Sequence, residues 1–386
     1  MKTISKIFMA VVAGMLAFSC VTDTTEDLGV NLGEGQSTTL TLSLEESRTH
    51  LGIKDEDGNE YPLYWSEGDK IAVNGEASDA LGVEYHGQTQ ATFKFTGTLL
   101  NYPYNIVYPA PAEGVTAEKA GNYPVTFKTS QVYTAGTFAE GSVPMYGYVA
   151  DENAATTLNH LAGVLRIAPY GNATLKMLVI TAENGKLAGN FDVDTEGNLT
   201  AHADATNAVT VTFGEGLTLG ATEADAKPIY VAVPAGDYGS VSVTLITDKD
   251  SMAMRFNTSG ENENGEPKAI KAGKVREFAA FEYEANSGTT GDFFIYDEAS
   301  LLNFAENAAT TTSAKVVADI DMTGESWTAI DNYSGVFDGG NFKIKGLKAP
   351  LFGETTNAIT IKNVHLTDVD ITISKSFWEN LISNSF

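Results

Sequence analysis

The sequence predicts an all-β protein, and three observations predict it. Short runs of alternating apolar and polar residues recur along most of the chain, as in Leu40, Leu42 and Leu44 against Thr39, Thr41 and Ser43. Turn residues punctuate those runs at sandwich-like intervals, and glycine is abundant, with 37 in 386 residues. Beyond residue 291 the runs become shorter and closer, each with few apolar residues, which is the pattern of stacked coils in a parallel β-helix.

The N-terminus reads as an export signal. Lys2 and Lys6 supply positive charge, and Ile7 to Phe18 is apolar but too short for a spanning helix. It ends at Ser19-Cys20, the only cysteine, so no internal disulfide is possible. A lone cysteine directly after such a segment resembles a bacterial lipobox, although Ala17 and Phe18 depart from its usual residues. That resemblance implies that Cys20 carries the lipid and becomes the new N-terminus. The other reading is an ordinary cleaved signal with an incidental cysteine. Residues 1–20 are thus the signal peptide. Residues 21–37, polar and with little to bury, form a tether.

A first domain spans 38–150. It opens on the Leu40 strand and turns at Asp55-Glu56-Asp57-Gly58-Asn59. Tyr61 to Gly75 reads as a hairpin, with Trp65 in the core and Gly68 in the turn. Ala91 to Phe95, Tyr104 to Tyr108, Val125 to Phe127 and Met145 to Val149 follow. A second domain, 151–285, opens on Asn159 to Ile167. It continues through Leu175 to Ala182, Phe191, Val209 to Phe213, Ile229 to Val233 and Val241 to Leu245, and ends on Lys274 to Tyr283. Residues 286–291, NSGTTG, are a linker. In 292–386 a short helix with Leu301, Leu302, Phe304 and Ala305 on one side, capped by Asp297 or Ser300, precedes the closely spaced strands.

Ser47-Arg48-Thr49, Trp65-Ser66-Glu67-Gly68-Asp69-Lys70-Ile71 and the stretch from His160 to Leu165-Arg166-Ile167 resemble the fimbrillin-like surface proteins of Gram-negative anaerobes. Leu302-Asn303-Phe304-Ala305, Ala318 to Met322, Trp327 and Phe337 to Asn341 are similar to the opening coils of surface proteins with GLUG-type repeats. Together these resemblances imply two tandem β-sandwich domains followed by the start of a right-handed parallel β-helix. They also imply a lipid-anchored protein of the cell outer membrane, acting in adhesion or pilus-related display. Expected partners are the membrane, other pilus subunits, and a host protein or glycan. Arg48 stands where pilins of that family are cut to release a first strand for exchange with a neighbour. An ordinary strand-end arginine is the competing reading. A minor or anchor pilin, or a protein binding or cleaving polysaccharide, is the alternative function.

No enzymatic signature supports catalysis. There is no nucleophile elbow, phosphate loop or dinucleotide fingerprint, and no cofactor is expected. A formal net charge of -26 disfavours nucleic acid. Asp55 and Asp57 have oxygen ligands at alternate positions but lack the downstream glutamate of an EF-hand loop. Asp192, Asp194 and Glu196 read the same way. Asp319 and Asp321, two apart, could share a strand face for calcium or acid–base work, or simply serve turns and solvent. Tyr102, Tyr104, Tyr123 and Tyr133 could stack on sugars if exposed, with core or rim packing as the plainer role.

Overall fold

The structure, a computed structural model, describes residues 37–43, 64–96, 102–151, 156, 158–247, 250–261, 265, 267–285, 293–307 and 310–371. It is all-β apart from one α-helix and two short 3-10 turns.

The first core lies between two sheets. Ser37–Ser43 pairs antiparallel with Gln90–Thr96, Leu40 facing Phe93. Alternation dictates the burial: Leu40, Leu42, Ala91, Phe93 and Phe95 point in, whereas Thr39, Thr41 and Lys94 face water. The facing sheet runs Glu76–Ala77, Ala72–Val73, Tyr104–Tyr108, Met145–Val149, Asn159–His160. Trp65 is fully buried here, edge-on to Phe93 at 5.0 Å and to Tyr108 at 5.4 Å. The hairpin reading of Tyr61 to Gly75 needs correction. Trp65 bridges to Gln88, and Ala72–Val73 pairs with Glu76–Ala77 and with the Tyr104 strand instead. The buried Asp69 carboxylate accepts the Ser66 N–H and the Tyr108 hydroxyl. It holds the turn down on a distant strand rather than letting it project as a hairpin tip.

The second core lies under a five-stranded sheet ordered Ser251–Asn257, Ser240–Ile246, Thr174–Ala182, Ala208–Thr218, Ser130–Val132. Opposite it, Ala162–Ile167 sits between Ile229–Pro234 and Val275–Glu277. The residues of that sheet divide between the cores. Leu165, Ile167, Val231 and Val233 enter the second, and Ala162, Val164 and Ala232 enter the first. One sheet therefore walls both.

Strand pairing also crosses residue 150. Tyr123–Phe127 pairs with Gly189–Val193, whose Phe191 and Val193 lie in the first core. Ser130–Val132 pairs in parallel with Ala208–Thr218. Gln131, buried, reinforces the seam: its amide donates to the Ala232 carbonyl at 2.7 Å and accepts the Ala232 N–H at 3.1 Å. The side chain thus takes the place of a strand backbone between two sheets.

Among the described residues from Phe293 onward, strand pairing is parallel. Phe293–Ile295, Ala314–Val316, Val336–Asp338 and Thr360–Lys362 form one sheet, and Ile320–Asp321, Lys343–Lys345 and His365–Thr367 form another. Side-chain hydrogen bonds between layers join residues 21 to 25 apart. One turn of chain therefore stacks on the next, with Phe337 over Ala314 and Ile344 over Ile320 in the interior. Glu298–Asn307 is the helix. Asp297 caps it by accepting the Ser300 N–H at 2.7 Å, while Ser300 Oγ accepts the Asp297 N–H at 3.0 Å. Both sequence candidates for the cap therefore act together, as in a reciprocal capping box. Leu301 and Phe304 are its buried face.

This parallel stack docks on the outer face of the second sandwich. Met177, Val179 and Ile246 form a buried cluster with Val317, flanked by Phe294 and Tyr296. No helix among the described residues is long and apolar enough to cross a membrane.

Candidate binding surfaces

Cys20, Arg48, Asp55 and Asp57 lie outside the described residues. Asp319 and Asp321 do lie near one another, but each reaches the next layer of the stack. Asp319 Oδ1 accepts the Lys343 N–H at 2.8 Å. Asp321 Oδ1 accepts the Thr323 N–H at 2.9 Å, and its Oδ2 lies 3.5 Å from Lys345 Nζ. The Thr323 hydrogen bonds and Lys345 hold the Asp321 carboxyl below its ordinary value. Asp338 repeats the arrangement one layer on, with Asn363 at 2.9 Å and Lys362 at 3.2 Å. Burial opposes ionisation of Asp338, but Asn363, Gly340 and Lys362 outweigh it and keep its carboxyl low. The carboxylates thus clamp successive turns of chain. No group of three or more acidic, histidine or cysteine side chains that could hold a metal is found among the described residues.

Two buried carboxylates hold the sandwiches. Asp69 is 7 % exposed, and burial pushes its carboxyl up to about 6 despite the Ser66 and Tyr108 hydrogen bonds. Asp192 accepts the N–H groups of Glu118 at 3.1 Å and Lys119 at 2.7 Å, and its Oδ1 lies 2.7 Å from His202 Nε2. Both partners of that pair are buried. It ties the loop before Tyr123–Phe127 to the Gly189–Val193 and Leu199–Ala201 strands. The role is structural, since every carboxylate oxygen is occupied.

A groove of about 300 Å³ opens where the sheet edge at Asn159–His160 meets the turn between Gly189–Val193 and Leu199–Ala201. Asn159 and His160 come from the edge strand, Tyr148 from the strand beside it, and Thr195, Glu196 and Gly197 from the turn. The turn is held in shape by Asp194, whose Oδ1 accepts the N–H groups of Glu196 and Asn198, each at 2.9 Å. Those contacts, the Asn198 amide foremost, keep the Asp194 carboxyl below its ordinary value. Gly197 takes φ +87°, which a side chain would strain. Under the groove Tyr146 is buried, its hydroxyl donating to Asn105 Oδ1 at 2.7 Å, and burial pushes that hydroxyl up to about 12.

Tyr148 is 44 % exposed, in a strand whose other four residues are buried. It was not among the tyrosines the sequence singled out. Of those, Tyr104 is buried, and Tyr102 stacks on it at 4.1 Å. Tyr123 is half-buried, packed against the first core. Alternation along Met145–Val149 could have separated Tyr148 from Met145, Gly147 and Val149, but not from the buried Tyr146.

A second surface is the last described layer of the parallel stack. Ile361 stacks over Phe337 and Leu366 over Ile344, so both occupy interior positions. Yet they are 49 % and 40 % exposed, while Phe337 and Ile344 are fully buried.

No protein-family model matches the chain, and no curated protein is significantly similar in sequence. Among solved structures, the chain is similar to a candidate cell adhesion protein from Bacteroides uniformis, at 14% identity and TM-score 0.34, covering 57% of this chain and 90% of that one. A candidate cell adhesion protein from Bacteroides ovatus gives 12% identity and TM-score 0.32, covering 53% and 83%. A fimbrial protein from Bacteroides ovatus gives 10% identity and TM-score 0.27, covering 64% of this chain and 50% of that one. Overlaps this slight carry no argument about what the present chain does.

Proposed function

We propose that the chain is a non-catalytic, lipid-anchored surface protein of the outer membrane that displays a binding surface for adhesion or pilus-related attachment. The observation that carries this reading is the unbroken path of packing from the Leu40 strand to the parallel stack. Sheets cross residue 150 at the Tyr123 and Ser130 strands, one sheet walls both sandwich cores, and Val317 seats the stack on Met177, Val179 and Ile246. Such a body transmits position from an anchor at one end to a surface at the other, which is the mechanical requirement of display. In this reading the last residues form the start of a β-helix with GLUG-type coils, Cys20 carries the lipid, and a host protein or glycan is the partner.

The test is made on cells producing the full chain. Metabolic labelling with a fatty acid should mark the protein, and intact cells should expose it to added protease. Replacing Cys20→Ala should abolish the label and release the protein. An unlabelled protein inaccessible on intact cells would end this reading.

One observation favours a strand-exchanging pilin as the second reading. Among the described residues Ser37–Ser43 pairs with a single strand, and its Leu40 and Leu42 plug the first core. Removing it by a cut after Arg48 would open a groove along Ala91, Phe93 and Phe95 for another subunit's strand. Brief treatment with an arginine-specific protease, followed by an unboiled denaturing gel, separates the readings. A ladder with the cut mapped to Arg48 supports exchange, and a single band opposes it.

A further inference from the structure

We infer that the groove between Tyr148 and Glu196 is a subsite for one neutral sugar ring. The inference deepens the display reading and rests on it for its biological setting. Three features of the groove converge on this ligand class. Its volume, about 300 Å³, is at the small end of ligand sites and suits a ring-sized group rather than an extended peptide. Tyr148 offers an exposed aromatic face on a strand that is itself fixed, because Met145 and Tyr146 pair with His160 and Asn159. The axial C–H patch of a sugar stacks on such a face, since the ring's π-electrons are the negative partner. Across the groove stand a carboxylate, Glu196, and a hydroxyl, Thr195, with the Asn159 amide on the strand side. A carboxylate accepts from two neighbouring hydroxyls at once, and an amide both donates and accepts, so the set matches a polyol edge.

The groove is also organised before any ligand arrives. Asp194 and Gly197 fix the turn that carries Glu196, and Tyr146 is pinned beneath by Asn105. A backbone frame already in place loses little freedom on binding, which favours affinity from few contacts. Charge then selects among sugars. Glu196 stands at the groove with Asp194 behind it, and the chain carries a formal net charge of -26. Sugar acids are therefore repelled, and neutral hexoses or N-acetylhexosamines are preferred.

Saturation-transfer NMR on the full chain tests this, using glucose, galactose, N-acetylglucosamine and N-acetylgalactosamine, with glucuronic acid as the anionic comparison. At least one neutral ring should saturate in the millimolar range and glucuronic acid should not. Tyr148→Ala should weaken that binding at least tenfold, Glu196→Gln several-fold, and Tyr148→Phe should retain most of it because the aromatic face survives. Thermal unfolding of each variant confirms that it folds, as expected for side chains at the surface. No binding by any neutral sugar, binding unchanged in Tyr148→Ala, or preference for glucuronic acid would overturn the subsite. Failure here with the protein still displayed on cells leaves the display reading standing. Sugar binding by a protein that is not displayed would do the reverse.

Discussion

Protonating Asp69 should stabilise the first sandwich, and the size of the effect follows from its burial. Its carboxyl rises from 3.8 to about 6 on folding because the side chain leaves water for a buried site beside Tyr108. A raised folded-state value means that the fold prefers the protonated acid. Its contribution is therefore fully present below pH 3.8 and lost as pH rises through about 6. At about 1.36 kcal/mol per pH unit the whole effect is roughly 3 kcal/mol, of which about 2 kcal/mol falls between pH 7.5 and 4.5. Asp69→Asn removes the titrating group while nearly keeping its shape. Urea unfolding of the wild type and the variant across that range, followed by tryptophan emission, isolates the difference from all other carboxylates. The wild type should gain about 2 kcal/mol over the variant on acidification. Curves that run parallel to within about 0.5 kcal/mol would refute the reasoning, because Asp69 would then titrate alike folded and unfolded.

Three further outcomes follow from the packing. Asp192→Asn turns an NH2 group toward donors that now meet a carboxylate, Glu118 N–H, Lys119 N–H or His202, and should cost about 1–3 kcal/mol in urea unfolding. In the parallel stack, Ile344→Asp should abolish folding of residues 293–371, whereas Leu366→Asp, one layer further and already exposed, should leave circular dichroism and unfolding nearly unchanged. Val317→Asp places an unpaired carboxylate against Met177, Val179 and Ile246 and should undock the stack, read as faster proteolysis between residues 285 and 293 with both fragments still folded.

Much of the fold was legible because alternation is a local property. Leu40 and Leu42, Phe93 and Phe95, Val209 and Val211, and Val241, Val243 and Leu245 all point where their spacing places them. The helix cap was legible for the same reason, since Asp297 and Ser300 are three residues apart. Partner choice was not, because it depends on residues far along the chain. Nothing near Trp65 says that it bridges Gln88 rather than Val73, and nothing near Ser130 says that it joins a strand at Thr210. Asp319 and Asp321 looked like a possible ligand pair in isolation. The signal for their clamp role was present in the chain but distant: Lys343 and Lys345 repeat the same spacing 24 residues on. Asp338 and Lys362 then repeat it again. The groove at Tyr148 was invisible for a related reason. Its two walls come from strands near 148 and 160 and from a turn at 195–197, and only the packing of both on the first core brings them together.

The central claim is that this chain holds a binding surface away from the cell. The most direct measurement is retention of living cells, producing either the full chain or its Cys20→Ala form, on surfaces coated with neutral glycans or host proteins under flow. The account predicts that the full chain raises retention on at least one coating and that Cys20→Ala removes the gain. Equal retention with and without the chain, while antibodies confirm that it is on the cell surface, would contradict it.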